Sequence, residues 1–214
     1  MTDSMAVPGG LSFIHIPKNA GTSVKQAIAD NQLPILVTGH PYPRKLSTEE
    51  FVVLRCPVGR FISAFHYGCK FWPSRINAQF ASADELASSA ADPDHPKHAL
   101  AWIELGNRPE HILQRSGEAM PQHTVGSRIT NFSWAYEPQS TWLFNEPAHI
   151  LRYRHLSKDF SALLNTMGLL DSFELPRTNQ SDGGTERLSS AALAFLECTY
   201  ASDFEFIRSR GLDV

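Results

Sequence analysis

Cysteine is scarce in this chain. Its three cysteines, Cys56, Cys69 and Cys198, are odd in number and show no CxxC spacing, which argues against a disulfide framework or a zinc site as the organising device. A reducing compartment is the simpler expectation. Apolar residues never run to the ~18 in succession that a membrane-spanning helix needs, and residues 1–10 lack the basic-then-apolar order of a secretory leader. The expectation is a soluble, cytoplasmic protein, lumenal only if an anchor has been removed. An excess of one charge is missing as well: 19 Lys and Arg face 22 Asp and Glu, for a formal net charge of −3. No broad pull toward nucleic acid or an anionic membrane is expected, so any anion site must be local. Internal repeats, charge blocks and low-complexity tails are absent too. With 42% hydrophobic residues over 214 positions the chain can bury a sizeable core, read here as a single domain across 1–214.

What is present begins with Leu11 to Ile28, LSFIHIPKNAGTSVKQAI. The apolar run from Leu11 to Ile16 predicts a buried strand, and Pro17 stops it. After Lys18, Asn19, Ala20, Gly21, Thr22 and Ser23 the spacing turns helical, with Val24, Ala27 and Ile28 on one face. A strand, tight loop and helix in this order suit an anion, because the first helical turn carries unpaired N–H groups and the positive end of the helix dipole. Gly21 permits close backbone approach, Thr22 and Ser23 add hydroxyls, and Lys18 adds a mobile charge. The expected guest is a phosphate or sulfate group. The plainer alternative is an ordinary strand-to-helix turn whose lysine is solvated.

Leu33 to His40 (LPILVTGH) predicts a second short strand, after which Pro41 and Pro43 forbid an immediate helix. If the first two strands are parallel neighbours, His40 emerges at the carboxyl edge that carries the Lys18 loop, where open α/β sheets bind ligands. Phe51 to Leu54 is the third strand and ends in Arg55. From Arg60 a helix is expected, with Phe61, Ala64, Phe65 and Gly68 on one side. Arg55, at a strand end, and Ser63, in the first turns of that helix, are both suited to one phosphate; the plainer alternative, which these two residues alone favour, is an Arg55 paired with a carboxylate and an ordinary helix serine.

The pair HIPKNAGTS and VVLRCPVGRFISAF closely resembles the paired motifs of sulfotransferases that use 3′-phosphoadenosine 5′-phosphosulfate (PAPS), in the heparan sulfate 2-O-like carbohydrate group. PQSTWLF, HILRYRHLSKDFSALLNTMGL and TYASDFEFI follow that group's pattern in the same order. The resemblance implies an α/β, three-layer P-loop-like fold with a central parallel sheet flanked by helices. It implies that Pro17, Lys18, Asn19, Ala20, Gly21, Thr22 and Ser23 hold the 5′-phosphosulfate, with Lys18 near the bridging oxygen. Arg55 and Ser63 would hold the 3′-phosphate. His40 falls where relatives acting on uronic-acid glycans place a catalytic histidine, whereas other branches use a glutamate, here Glu49 or Glu50. Cys56 and Gly59 depart from the group's usual acidic and polar residues.

Residues 72–139 predict a helical and then loop-rich insert on the acceptor side. Ser82 to Glu85 reads as a capping box opening an alanine-rich helix, and His98 to Leu105 forms a second helix stopped at Gly106. His95 and His98 lie three apart, but no set of acidic or cysteine partners clusters with both, so no metal site is expected. Ile150 to Tyr153 predicts a fourth strand, Ser157 a helix cap, and Arg177 to Gly184 a polar loop resembling one that closes over the nucleotide. A last helix from about Ser190 to Arg208 aligns Leu193, Leu196, Tyr200, Phe204 and Ile207.

The nearest competing chemistry, a P-loop kinase, needs GxxxxGK[ST] and a strand ending in a metal-binding Asp. Here Lys18 precedes Gly21, and the third strand ends in Arg55. The expected reaction is metal-free, in-line sulfuryl transfer from PAPS, leaving 3′-phosphoadenosine 5′-phosphate (PAP), to a hydroxyl of a carbohydrate or small molecule. A catalytically inactive nucleotide-binding protein on the same fold is the alternative.

Overall fold

The computed structural model describes residues 10–38, 49–71, 76–106, 132–143, 146–170, 173, 175 and 186–214. The chain divides into two compact units, Met1–Cys56 with Gln139–Gln180 and Glu205–Val214, and Pro57–Pro138 with Ser181–Phe204.

The first unit is built on four strands, β1 (Leu11–Ile14), β2 (Ile35–Thr38), β3 (Glu49–Leu54) and β4 (His149–Arg152). They lie in the order β2-β1-β3-β4. Every neighbouring pair is parallel, with Leu11 opposite both Ile35 and Glu49, and Phe51 opposite His149. Parallel sheets are covered on both faces, which is why β3 turns apolar after Glu49 and Glu50; Phe51, Val52, Val53 and Leu54 are all buried.

Helix α1 (Gly21–Asp30) follows β1. Its Val24, Ala27 and Ile28 pack with Leu11, Phe13, Phe51, Val53 and Leu151, one alternating face of the sheet. A helix after β4 (Leu156–Thr166) adds Phe160, Leu163 and Leu164 to the same core. Phe51 stacks 5.0 Å from Phe13 and meets Phe160 at 5.8 Å, between ring centroids. Each such buried ring is worth about 1.5–3 kcal/mol over exposure.

The second unit contains α2 (Pro57–Phe71), α3 (Ala83–Ala91) and α4 (His98–Leu105). The helix after β4 is therefore α5, and α6 (Ser190–Thr199) and α7 (Ala201–Ser209) complete the series. Helix α2 begins at Pro57, earlier than Arg60, because proline suits a first helical position where its missing N–H is not needed. Phe61, Phe65, Leu86, Ala87, Leu105, Tyr136, Leu196 and Tyr200 form this unit's core. Ser82 caps α3 through Glu85 N at 3.0 Å, while Glu85 Oε2 accepts from Ala81 N at 2.6 Å, one residue before the usual capping-box donor. Gly106 ends α4 with φ 75°.

Other expected elements differ as well. The single last helix is two, parted at Tyr200 (φ −107°, ψ 25°), whose hydroxyl donates to Tyr136 O at 2.7 Å. Helix α5 starts after His155, and Ser157 Oγ instead accepts from Leu175 N at 3.3 Å. The first strand ends at Ile14, two residues short of Ile16. Among the described residues no helix is long and apolar enough to cross a membrane. The architecture is α/β, with a four-stranded parallel sheet flanked by helices.

Candidate functional site

The loop between β1 and α1 departs from ordinary backbone geometry. Lys18 and Ala20 both take left-handed conformations, with φ 66° and 59°, and a non-glycine residue there costs on the order of 1–2 kcal/mol. Such strain concentrates at functional sites. A left-handed Ala20 leading into the right-handed turn at Gly21 is the combination that turns successive backbone N–H groups toward one concavity, an anion nest. Ala20 provides no side-chain cap, and the first turn of α1 contains no carboxylate. The positive end of the helix dipole therefore meets no acidic side chain from its own first turn.

Gly21 is required for space rather than for φ. A Cβ placed there would lie 1.7 Å from His15 Nε2. The His15 ring is itself buried and stacked on Phe13, with centroids 5.7 Å apart. The predicted site residues in this loop separate by exposure: Pro17, Asn19, Gly21 and Ser23 are buried, Lys18 and Ala20 are half-buried, and Thr22 is exposed.

Asn19 ties the loop to the end of β3. Its Nδ2 donates to Val53 O at 2.7 Å and to Gln139 Oε1 at 2.5 Å. Its buried Oδ1 has no hydrogen-bond partner among the described residues. Gln139 in turn accepts from Arg55 N at 3.0 Å and donates from Nε2 to Arg55 O at 2.8 Å.

Arg55 is the charged member of the group. Its Nη1 donates to Lys18 O at 3.2 Å, and its guanidinium carbon lies 4.3 Å over the centre of the Tyr153 ring. Burial pushes its pKa below the ordinary arginine value, and the neighbouring Tyr153 and Cys56 oppose that in part. No carboxylate pairs with it among the described residues. A half-buried cation held by one carbonyl and one ring retains donors for an anion.

The structure thus brings Arg55 to the Lys18 loop. Ser63 lies in the second unit, buried in α2. His40 lies outside the described residues, as does the Arg177 to Gly184 loop; β1 and β2 are the parallel neighbours the sequence required, and β2 ends at Thr38. Glu49 and Glu50, the alternative bases, register with Leu11 and Ser12 at the amino edge of the sheet. Strand β3 separates them from Arg55 by roughly 16–20 Å at about 3.3 Å per residue, and Glu49 Oε2 meets His149 Nε2 at 3.1 Å. Neither glutamate is positioned with the loop.

Sequence reasoning missed Gln139 and Tyr153 as parts of the site. Both fall in stretches already singled out, PQSTWLF and HILRYRH, but nothing in their spacing announces contacts with Arg55. Comparisons with family models, curated proteins and solved structures found no match for this chain.

Proposed function

We propose that this protein is a PAPS-dependent sulfotransferase that acts on a hydroxyl acceptor, a carbohydrate or a small molecule. The observation that carries this reading is Arg55: a half-buried guanidinium at the carboxyl end of β3, tethered to Lys18 O and lacking a carboxylate partner among the described residues. A metal-dependent kinase needs an acid there, because a guanidinium repels a metal ion and attracts a phosphate. The strained Lys18–Ala20 backbone and the uncapped start of α1 support a second anion site beside it.

These residues fit the cofactor. Pro17 to Ser23 would surround its 5′-phosphosulfate, with backbone donors from the turn into α1 at Ala20 to Ser23, and Arg55 would hold its 3′-phosphate by a two-pronged contact. The bound cofactor supplies the activated sulfuryl group. Lys18, Ser23 and the loop N–H groups offset the negative charge that grows on the departing 5′-phosphate oxygen, where the loss of one donor commonly costs on the order of 10²-fold in rate. His40 takes the proton of the acceptor hydroxyl as its oxygen forms the new bond to sulfur. The parallel pairing of β2 with β1 supports that role.

The test combines turnover with binding. Labelled sulfate should pass from PAPS to hydroxyl compounds with no added metal. Arg55→Ala should weaken PAP binding while hardly changing binding of 5′-AMP, which lacks the 3′ group. Equal losses for both ligands would remove Arg55 as the 3′-phosphate partner.

A further inference from the structure

We propose that Gln139 is a positioning residue that fixes the spacing between the Lys18–Ser23 loop and Arg55, and so sets selectivity for a nucleotide phosphorylated at both its 3′ and 5′ positions, a role that rests on the sulfotransferase reading for the identity of the ligand. Gln139 is only 2% exposed and opens the short 3₁₀ turn Gln139–Trp142. One side-chain amide there holds three groups. Its Oε1 accepts from Asn19 Nδ2 at 2.5 Å and from Arg55 N at 3.0 Å, and its Nε2 donates to Arg55 O at 2.8 Å.

Arg55 lies one residue beyond the end of β3, and Gln139 gives both of its main-chain groups a buried partner. Asn19 makes the second tie, donating to Val53 O at 2.7 Å as well as to Gln139. The loop and the strand end are therefore bound through two buried amides. Low local dielectric strengthens such contacts and makes each one expensive to leave unmade. Gln139 holds the main chain from which the Arg55 guanidinium projects, while Nη1 of that guanidinium reaches Lys18 O at 3.2 Å. A ligand phosphorylated only at its 5′ position engages one element, and one phosphorylated at both its 3′ and 5′ positions engages both at a fixed separation.

Two variants test this. Gln139→Met keeps the approximate shape and removes all three hydrogen bonds. Gln139→Glu keeps both acceptor roles but has no donor for Arg55 O until its carboxyl is protonated. Exchange of the Arg55 amide hydrogen, followed by NMR, and dissociation constants for PAP and ADP are measured for both and for wild type.

In Gln139→Met the Arg55 amide should exchange faster, and the preference for PAP over ADP should fall about tenfold, as loss of a buried hydrogen-bond hub predicts. In Gln139→Glu the preference should be low at high pH and return toward the wild-type value, measured at the same pH, as the pH falls through about 4 and the acid becomes a donor. A packing role alone gives no such recovery. Unchanged exchange and unchanged preference in both variants overturn the role of Gln139 while leaving the sulfotransferase reading in place. If Gln139→Met fails to fold, Gln139→Glu decides: a preference that tracks pH supports the role, and a flat one overturns it. Wild-type protein with no preference for PAP over ADP overturns the nucleotide reading instead, and the Arg55 exchange rates still test whether Gln139 ties loop to strand.

Discussion

Two side chains and one missing side chain define the site at the scale of single residues. His15 occupies the space that a Cβ at position 21 would need, at 1.7 Å, and its ring is pinned against Phe13. Gly21→Ala should therefore cost about 2 kcal/mol in denaturant-induced unfolding, the usual scale for forced overpacking. Adding His15→Ala should recover a good part of that loss, because the two changes share one contact; strictly additive costs would show that the clash is relieved elsewhere. His40→Ala should bind PAP as wild type does but lose turnover, and equal turnover in that variant would remove His40 as the base. The loop itself was legible in the sequence, because a proline stop, a glycine and a change of period sit within a few residues of one another. The hub was not: Gln139 meets Asn19 and Arg55 across 120 and 84 residues, and no local pattern encodes a pairing at that distance.

Among the elements, the end of β4 and the start of α5 are joined by one carboxylate. Asp159 accepts from Arg152 N and Nε, each at 2.9 Å, and from Arg152 Nη2 at 2.7 Å. The Arg152 side chain is the main cause that holds the Asp159 carboxyl below its ordinary pKa, and burial opposes it. A lowered folded-state value means that the unfolded chain binds more protons as the solution is acidified. The contribution is complete above the unfolded aspartate value of about 4 and is lost as the pH falls through the folded one. Asp159→Asn should flatten the acid limb of a plot of Tm against pH, and an unchanged limb would show that the pair contributes nothing. Strands were readable here because buried parallel strands are continuously apolar, and α1 because Val24, Ala27 and Ile28 recur at helical spacing. The break at Tyr200 was not, since the apolar stripe runs through it unchanged. What parts α6 from α7 accompanies a hydroxyl bond from Tyr200 to Tyr136 O, 64 residues away, while Leu193 on the expected inner stripe is 36% exposed.

For the whole molecule, the chain passes between its two units after Cys56, Pro138, Gln180 and Phe204, so neither unit is a contiguous piece of sequence. The first unit's sheet needs β4, which comes almost a hundred residues after β3, and its hub needs Gln139. Ligand binding is accordingly best followed on the full chain by thermal unfolding. A ligand at 100 times its dissociation constant adds about 2.7 kcal/mol, which for a chain of this length should raise Tm by roughly 5–10 °C. On the proposed reading the loop and Arg55 each serve one phosphorylated position of the nucleotide, and the end of β3 has a guanidinium where a metal-dependent site would need a carboxylate. PAP should therefore raise Tm well above ADP at equal concentration, and added Mg²⁺ should leave the PAP shift unchanged. A shift with ATP and Mg²⁺ alone would reverse the chemistry: the anion loop would then serve phosphoryl transfer, and the metal would have to be held by residues other than those gathered around Arg55.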